Sequence, residues 1–236
     1  MRFARSHPAV ATVLVLMLIV AHGVVRGWIF GYPSTYRAEA VGGSVIDAQT
    51  QQPIAGVIMI AHWQLEYPFA HVAPRGEMMV LETVSDDQGN FQFPAWGQKL
   101  RPWGWARIGS KNPQILLFKP GYKPSFVMDE ATLHPDLGSV RRSQWNGKAI
   151  ELEARPADDE RYADLLHMLA HLLGDAVFEF GTCDWRSTPR MLAAIEREHR
   201  VLPKNVRNLV SLSDFETMAK PAKCGSLPDF IEEHLR

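Results

Sequence analysis

The hydrophobic positions divide the chain into three regions with different patterns. Residues 9–21 are apolar except for Thr12. Between residues 38 and 154, short apolar runs of strand length alternate with turns rich in Gly, Pro and Asp. From Pro156 onward, apolar residues recur at intervals of three and four, as in amphipathic helices. We therefore predict a mainly β protein with an α subdomain: an N-terminal transmembrane or signal helix, a β-sandwich and a helical C-terminal region.

The N-terminal run has the features of an export segment. Arg2 and Arg5 precede it, and it continues with little interruption to Val25, which is close to the ~20 residues that cross a bilayer. Because positive residues stay in the cytoplasm, the rest of the chain is expected outside it. We predict a signal-anchor or signal peptide over residues 1–31 and a linker over Tyr32–Arg37.

Two fates remain open for this segment. Cleavage after Gly23 is possible because Ala21-His22-Gly23 has the small-x-small pattern of a processing site. Trp28, Phe30 and Tyr32 follow at once and resemble an interfacial aromatic belt, which favours an uncleaved anchor. We expect a single-pass protein of a bacterial inner membrane with its C-terminal part in the periplasm; the alternative is a cleaved protein secreted to the periplasm.

The region from 38 to 154 is predicted to contain roughly seven short strands joined by turns, which favours an antiparallel sandwich. Ile54 to Trp63 is apolar on both parities, so both faces of that strand should be covered. Phe91 and Phe93 alternate with polar residues, so both rings should point to one face. The other predicted strands are Val41–Ile46, Met78–Val84, Ile115–Phe118, Tyr122–Met128 and Ala149–Ala154.

Three turn motifs in this region carry a resemblance to a known family. They are Gly43-x-Val45-x-Asp47-x-x-Thr50-x-x-Pro53-Ile54-x-Gly56, Thr83-x-Ser85-Asp86-x-x-Gly89-x-Phe91 and Pro120-Gly121-Tyr122. Over residues 38–154 the chain resembles the carboxypeptidase regulatory-like domain, a transthyretin-like β-sandwich. The resemblance implies an accessory module without catalytic residues. The zinc-ligand pattern His-x-x-Glu of the neighbouring carboxypeptidases does not occur in the sequence, so no peptidase activity is carried over.

The chain has only two cysteines, Cys183 and Cys224. In an exported protein an even pair of cysteines forms a disulfide by default. Closing a loop of about 40 residues in this way contributes roughly 4 kcal/mol in the chain-entropy model. The other interpretation is a nucleophilic Cys183, which would need a nearby His that spacing cannot show.

The segment Pro94–Pro113 is a candidate ligand-binding loop. It is rich in Trp and in cations, and such side chains can stack on sugar rings or hold an anionic envelope polymer. The alternative is that the Trp side chains fold back as a small core over an open end of the sandwich. The candidate residues are Trp96, Trp103, Trp105, Arg101 and Arg107.

The C-terminal region, residues 155–236, begins with a predicted helix capped by Asp158 or Asp159. Its apolar positions form one stripe, and Asp164, His167 and His171 fall on the opposite face. Histidines at i and i+4 can share a metal, with Asp164 as a third ligand, although a solvated polar face is the plainer interpretation. Further helices are predicted over Thr188–His199 and Ser213–Ala219. Together they are expected to form a helical cap that the disulfide between the two cysteines cross-links.

Composition limits the function classes. With 25 Lys+Arg against 26 Asp+Glu there is no basic field for nucleic acid. No nucleophile elbow, phosphate loop or dinucleotide fingerprint occurs, so no cofactor is predicted. We expect a non-catalytic extracytoplasmic module, tethered to the membrane, that binds an envelope glycan or a protein partner. The alternatives are a metal-dependent hydrolase using Asp164, His167 and His171, and strand addition at a sandwich edge, which requires a long uncovered edge.

Overall fold

The structure is a computed structural model, and it describes residues 12–18, 21, 35–66, 76–101, 106–130, 139–178, 182–207 and 224–235. Eleven strands are described: β1 Thr35–Ala38, β2 Val41–Asp47, β3 Ile58–Glu66, β4 Glu77–Val84, β5 Asn90–Phe93, β6 Trp96–Leu100, β7 Arg107–Ile108, β8 Gln114–Phe118, β9 Ser125–Met128, β10 Val140–Arg141 and β11 Lys148–Leu152. The described C-terminal helices are α1 Asp159–Val177, a 3-10 turn Asp184–Ser187, α2 Pro189–Val201, α3 Lys204–Arg207 and α4 Leu227–Leu235.

The strands form a sandwich of two layers. The first layer contains two three-stranded sheets, with the strand orders β10-β1-β6 and β11-β2-β5. Corresponding strands of the two sheets are consecutive in the sequence: β1 with β2, β5 with β6 and β10 with β11. The second layer has the order β4-β3-β8-β9, and β7 also pairs with β3. The predicted mainly β sandwich is confirmed, but the prediction of a purely antiparallel one is wrong. β1 pairs with β10 and β2 with β11 in parallel.

Strand β3 is covered on both faces, as its sequence predicted. Met59, Ala61 and Trp63 lie in the core between the two layers. Ile60 belongs to a second core, shared with Leu116 of β8 and with the helices. The α subdomain therefore packs as a third layer on the outer face of the second sheet. The strand itself begins at Ile58 rather than Ile54, because Gly56, with φ of 70°, turns the chain just before it.

The helical region follows its sequence pattern closely. Asp158 caps α1, its side chain accepting from the backbone N–H groups of Glu160 and Arg161. Pro189 occupies the first turn of α2 as predicted. Cys183 and Cys224 form a disulfide, which confirms the predicted bridge. The predicted helix over 213–219 lies outside the described residues.

Two boundaries were predicted incorrectly. Residues 35–37, assigned to a linker, are part of β1, where Tyr36 is buried in the sandwich core. The segment Pro94–Pro113, assigned to a loop, contains β6 and β7. β6 continues from β5 after a break at Pro94 and Ala95. The proline at this point therefore marks a bend between two strands rather than the start of a long loop.

The three turn motifs have structural roles. Asp47 Oδ1 accepts from the backbone N–H groups of Gln49 at 2.9 Å and Thr50 at 2.8 Å. The buried Ser85 hydroxyl donates to the carbonyl of Ile54 at 2.7 Å. Gly89 adopts φ of 75°, and a Cβ there would lie 2.7 Å from the carbonyl oxygen of Val45. These residues fix turns and close approaches of the backbone.

The predicted N-terminal anchor lies largely outside the described residues. Residues 12–18 are helical, and their apolar side chains from Val13 to Leu18 are 49–67% exposed. Among the helices in the described ranges, none has both the length and the hydropathy required to cross a membrane.

Candidate functional site: a cleft along strand β4

A cleft of about 720 Å³ runs along the outer edge of the second sheet. One wall is β4, whose residues 77–82 all line the cleft. Within the described residues β4 pairs only with β3, so it ends the sheet on this side. At about 3.4 Å per residue, those six residues present an edge roughly 20 Å long.

The pairing pattern decides which backbone groups face the cleft. In an antiparallel pair, alternate residues direct N–H and C=O toward the partner strand and away from it. Ser85 N donates to the carbonyl of Val57 at 3.0 Å, so Ser85 faces β3. The register pairs Ile58 with Val84 and Ile60 with Glu82. By alternation, Val80 and Glu82 direct their N–H and C=O groups into the cleft, where no strand of the described chain pairs with them.

The opposite wall is formed by the 3-10 turn and the first residues of α2. Arg186 and Arg190 are exposed there, beside the half-buried Asp184. The Arg186 guanidinium stacks over the rings of Trp185 and Phe230 at 5.2 and 5.1 Å, which fixes its position. The Arg186 side chain remains exposed to solvent despite these two contacts.

Lys99 of β6 closes part of the cleft. Its Nζ donates to the carbonyl of Met78 at 3.2 Å and lies 3.0 Å from the Met79 sulfur. The register of β3 against β4 shifts between His62 and Gln64, which places a bulge in β4 at this point. A bulge and a lysine placed against the edge are among the features that discourage indiscriminate edge pairing. The open part of the edge is therefore confined to Val80 and Glu82.

Glu82 joins the two walls. Its carboxylate accepts the backbone N–H groups of Met191 at 2.9 Å and Arg190 at 3.2 Å, at the N-terminus of α2. Thr188, which precedes the helix, makes no side-chain capping bond. Glu82 therefore caps α2 from another element and is favoured by the helix dipole. Burial raises the pKa of Glu82 above its ordinary value, while the two backbone hydrogen bonds and nearby Arg190 act in the opposite direction.

A buried pair lies at the other end of β4. His62 Nδ1 is 3.0 Å from Glu77 Oε1, and both side chains are less than 5% exposed. His62 comes from β3 and Glu77 from the start of β4, so the pair joins the two strands beyond the bulge. The cleft lining carries three cations, Lys99, Arg186 and Arg190, and three acidic residues, Glu77, Glu82 and Asp184. All three cations are exposed, whereas the acidic side chains are buried or half-buried, so the charge that the cleft presents to solvent is mainly positive.

Among the residues predicted to bind glycans, those that the structure describes do not form an exposed aromatic platform. Trp96 is 6% exposed and packs edge-on against Trp63, with ring centroids 5.5 Å apart, inside the sandwich. This matches the alternative in which the aromatic residues fold into the core. Arg107 pairs with Glu66 at 3.0 Å, and Arg101 is half-buried. Trp103 and Trp105 lie outside the described residues.

The predicted three-ligand metal site is not formed. His167 and His171 lie together on the exposed face of α1, with 3.0 Å between their Nε2 atoms. Asp164 is also exposed on α1. Within the described residues, however, no three His, Cys, Asp or Glu side chains are placed to hold a metal. The helix brings the imidazoles together because they are four residues apart, and the short aspartate side chain does not join them.

The cleft was missed by sequence reasoning because its components are far apart in the chain. Glu82 and Met191 are separated by 109 residues. A weak indication was present: Val80 and Glu82 share a strand that was predicted over Met78–Val84 and observed over Glu77–Val84. Nothing in its local pattern shows that one edge has no partner.

Comparisons with known proteins add the following. No protein-family model and no curated protein matches the chain. A 3-chlorocatechol 1,2-dioxygenase from Rhodococcus opacus 1CP is similar in structure at 15% identity, covering 50% of this chain and 58% of that one, with a TM-score of 0.27. A catechol 1,2-dioxygenase from Pseudomonas arvilla C-1 is similar at 13% identity, covering 55% and 56%, with a TM-score of 0.28.

A third similar structure is the C-terminal domain of the shaft pilin SpaA from Lactobacillus rhamnosus GG. It is 12% identical, with 52% of this chain and 99% of that domain covered and a TM-score of 0.23. This chain spans between 56% and 60% of three of the dioxygenases it is similar to. At such TM-scores the similarities carry no information about activity, and the sandwich is assigned from the strand pairing described above.

Proposed function

We propose that this protein is a non-catalytic binding module, held at the outer face of a bacterial inner membrane, whose β-sandwich is of the carboxypeptidase regulatory-like type. Its partner is a protein that places an acidic, extended segment in the cleft along β4. The observation that carries this proposal is the edge at Val80 and Glu82, which no described strand pairs with and which faces a wall with Arg186 and Arg190.

Backbone chemistry favours a peptide over a glycan in this cleft. An extended segment can exchange N–H and C=O hydrogen bonds with Val80 and Glu82, as in strand addition. Alternate side chains of such a segment would point toward the helical wall, where Arg186 and Arg190 can pair with carboxylates. A glycan offers no regular row of donors and acceptors at this spacing.

Export and anchoring belong to the same proposal. The apolar run after Arg2 and Arg5 supports membrane insertion, and the exposed apolar side chains of Val13 to Leu18 support contact with lipid. The disulfide between Cys183 and Cys224 supports an oxidising compartment such as the periplasm. Cleavage after Gly23 and release into the periplasm is the alternative fate.

Peptide binding tests the proposal directly. The probe is a blocked, fluorescently labelled peptide of about seven residues that alternates Val and Glu, added to the full chain and followed by fluorescence anisotropy. We expect it to bind, and the same peptide with Lys in place of Glu to bind roughly tenfold more weakly or not at all. N-methylation of the alternate amides that face β4 should abolish binding, whereas methylation of the other set should not.

The contribution of the two arginines to peptide binding is tested against a matched control variant. Substituting both arginines, Arg186→Glu and Arg190→Glu, should weaken the acidic peptide roughly tenfold or more. Arg161→Glu changes an equally exposed arginine on α1, away from the cleft, and should leave binding unchanged. Equal binding by both N-methylated peptides would reject strand addition. Binding of peptidoglycan fragments but of neither peptide would replace the protein partner with a glycan.

The hydrolase alternative receives no support from the side-chain arrangement. Asp164, His167 and His171 lie on the exposed face of a helix, and no described His, Cys, Asp or Glu joins the two imidazoles in a three-ligand set. A hydrolytic metal site requires three protein ligands and an open position in a concave cavity.

A further inference from the structure

Two imidazoles meet on the solvent-exposed face of α1. His167 and His171 are one helical turn apart, their Nε2 atoms are 3.0 Å apart and their ring centroids are 4.4 Å apart. Both residues are exposed, so bulk solvent reaches the rings. The helix is fixed beneath them, because Leu166, Leu169 and Leu173 are buried against the second sheet and α2.

The distance between the two nitrogens matches a shared metal ion. Nitrogen ligands bind Zn²⁺ at about 2.0–2.1 Å. Two such ligands are therefore about 2.9 Å apart at a right angle and about 3.4 Å apart at a tetrahedral angle. The observed 3.0 Å falls in this interval. The separation of the two nitrogens is therefore compatible with a metal ion bound to both, which would replace the hydrogen bond between the two rings.

We propose that His167 and His171 form a two-nitrogen binding site for a divalent transition metal such as Cu²⁺, Ni²⁺ or Zn²⁺. Imidazole suits these ions, whereas Mg²⁺ and Ca²⁺ require oxygen ligands. The described residues supply no third ligand, so water or a group from another molecule completes the coordination shell. The site is open and exchangeable, and the fold does not depend on it.

This site is independent of the cleft along β4, because it lies on the outer face of α1 and shares no residue with the cleft. The two proposals can therefore fail separately. Loss of metal binding would leave the peptide measurements unaffected, and the reverse also holds.

Metal titration of the full chain, prepared without a histidine tag, tests the site. Isothermal titration with NiCl₂ should give one site per chain, and the electron paramagnetic resonance spectrum with one equivalent of Cu²⁺ should show coupling to two nitrogens. His167→Ala and His171→Ala should each weaken Ni²⁺ binding roughly tenfold or more, because the second imidazole binds intramolecularly. Circular dichroism should remain unchanged, because both side chains are exposed.

Two further variants test whether Ni²⁺ binding depends on His167 and His171 alone. His234→Ala removes an exposed histidine of α4 that has no histidine neighbour one turn away, and it should leave Ni²⁺ binding unchanged. Asp164→Asn should also have no effect. If Asp164→Asn weakens binding as much as the histidine variants, the site has three ligands and the two-nitrogen assignment is wrong. Equal Ni²⁺ affinity in wild type and in the double variant His167→Ala/His171→Ala would overturn the site altogether.

Discussion

Burial changes the pKa of the Asp129 carboxyl group. Asp129, at the end of β9, is 8% exposed and accepts hydrogen bonds from the Ser143 hydroxyl at 2.9 Å and the Gln144 N–H at 3.2 Å. Burial raises the pKa of Asp129 to about 6, although these hydrogen bonds and Lys148 act to lower it. Asp129 is thus a buried acid that the fold holds more easily in its neutral form.

The raised pKa of Asp129 predicts a specific dependence of stability on pH. Between about pH 4 and pH 6 the folded state binds more protons at this site than the unfolded state. The free energy of unfolding therefore falls as the pH rises through this interval, and it stays lower above it. Asp129→Asn keeps an oxygen acceptor and removes the charge, so it should be more stable than wild type at pH 7.5 by about 1–3 kcal/mol.

Denaturant unfolding at pH 4 and pH 7.5 measures the effect of Asp129. The variant and wild type should have nearly equal stability at pH 4 and should diverge at pH 7.5. Asp87→Asn, in the exposed turn before β5, serves as the control and should follow wild type at both pH values. The explanation fails if Asp129→Asn loses as much stability between the two pH values as wild type does.

At the scale of elements, the disulfide holds α4 to the rest of the helical layer. Cys183 precedes the 3-10 turn and Cys224 precedes α4, and the sequence separation of the two cysteines is 41. α4 also contacts α2 directly: Arg200 pairs with Glu232, and Ile231 is buried in the helical core. The bridge therefore reinforces a contact that side chains already make.

Removing the bridge should destabilise the protein and loosen α4 first. The double variant Cys183→Ser/Cys224→Ser should lose roughly 2–4 kcal/mol of unfolding free energy, since the unfolded chain is no longer constrained. Amide hydrogen exchange should increase over Leu227–Leu235 and stay slow in β3 and β8, which lie in the core of the sandwich. Uniform exchange changes across both regions would show that the bridge stabilises the whole fold rather than this element.

Elements with strong local patterns could be predicted from sequence, and those defined by distant pairing could not. α1 was predicted with its cap because Asp158 and the Leu stripe are local features. β3 was predicted as a strand covered on both faces because Met59 and Ile60 are both apolar. β6 and β10 are short and polar, and they exist because β1 pairs with both. No local property of Gly97 or Gln98 indicates such a partner.

The same division applies to the candidate sites. The pairing of His167 and His171 could be predicted because an i, i+4 spacing fixes their separation. The cleft could not be predicted, because it depends on which edge of the sheet lacks a partner and on which helix lies opposite. Trp96, predicted as a glycan contact, is buried for a related reason: an aromatic residue in a Pro-rich segment looks exposed until its strand pairs with β1.

At the scale of the whole molecule, the sandwich and the helical layer form one folded unit behind an apolar N-terminal segment. The helices bury Ile60, Val80, Leu116 and Phe118 of the second sheet, so the two parts share a core. The cleft along β4 and the exposed histidines of α1 belong to different parts of this unit and share no residue.

The proposed export and anchoring by the N-terminal segment predict the membrane topology. Alkaline phosphatase fused to the C-terminal end should be active in cells, because it folds only outside the cytoplasm, and green fluorescent protein fused at the same position should stay dark. Leu14→Arg/Leu16→Arg places two charges within the apolar run and should reverse both results. Phe126→Arg, at an exposed position of β9, is the control and should not. If the protein is anchored, it stays in the membrane fraction. If it is cleaved after Gly23, it appears in the soluble fraction and its sequence begins at Val24. A fluorescent wild-type fusion would refute export in either form.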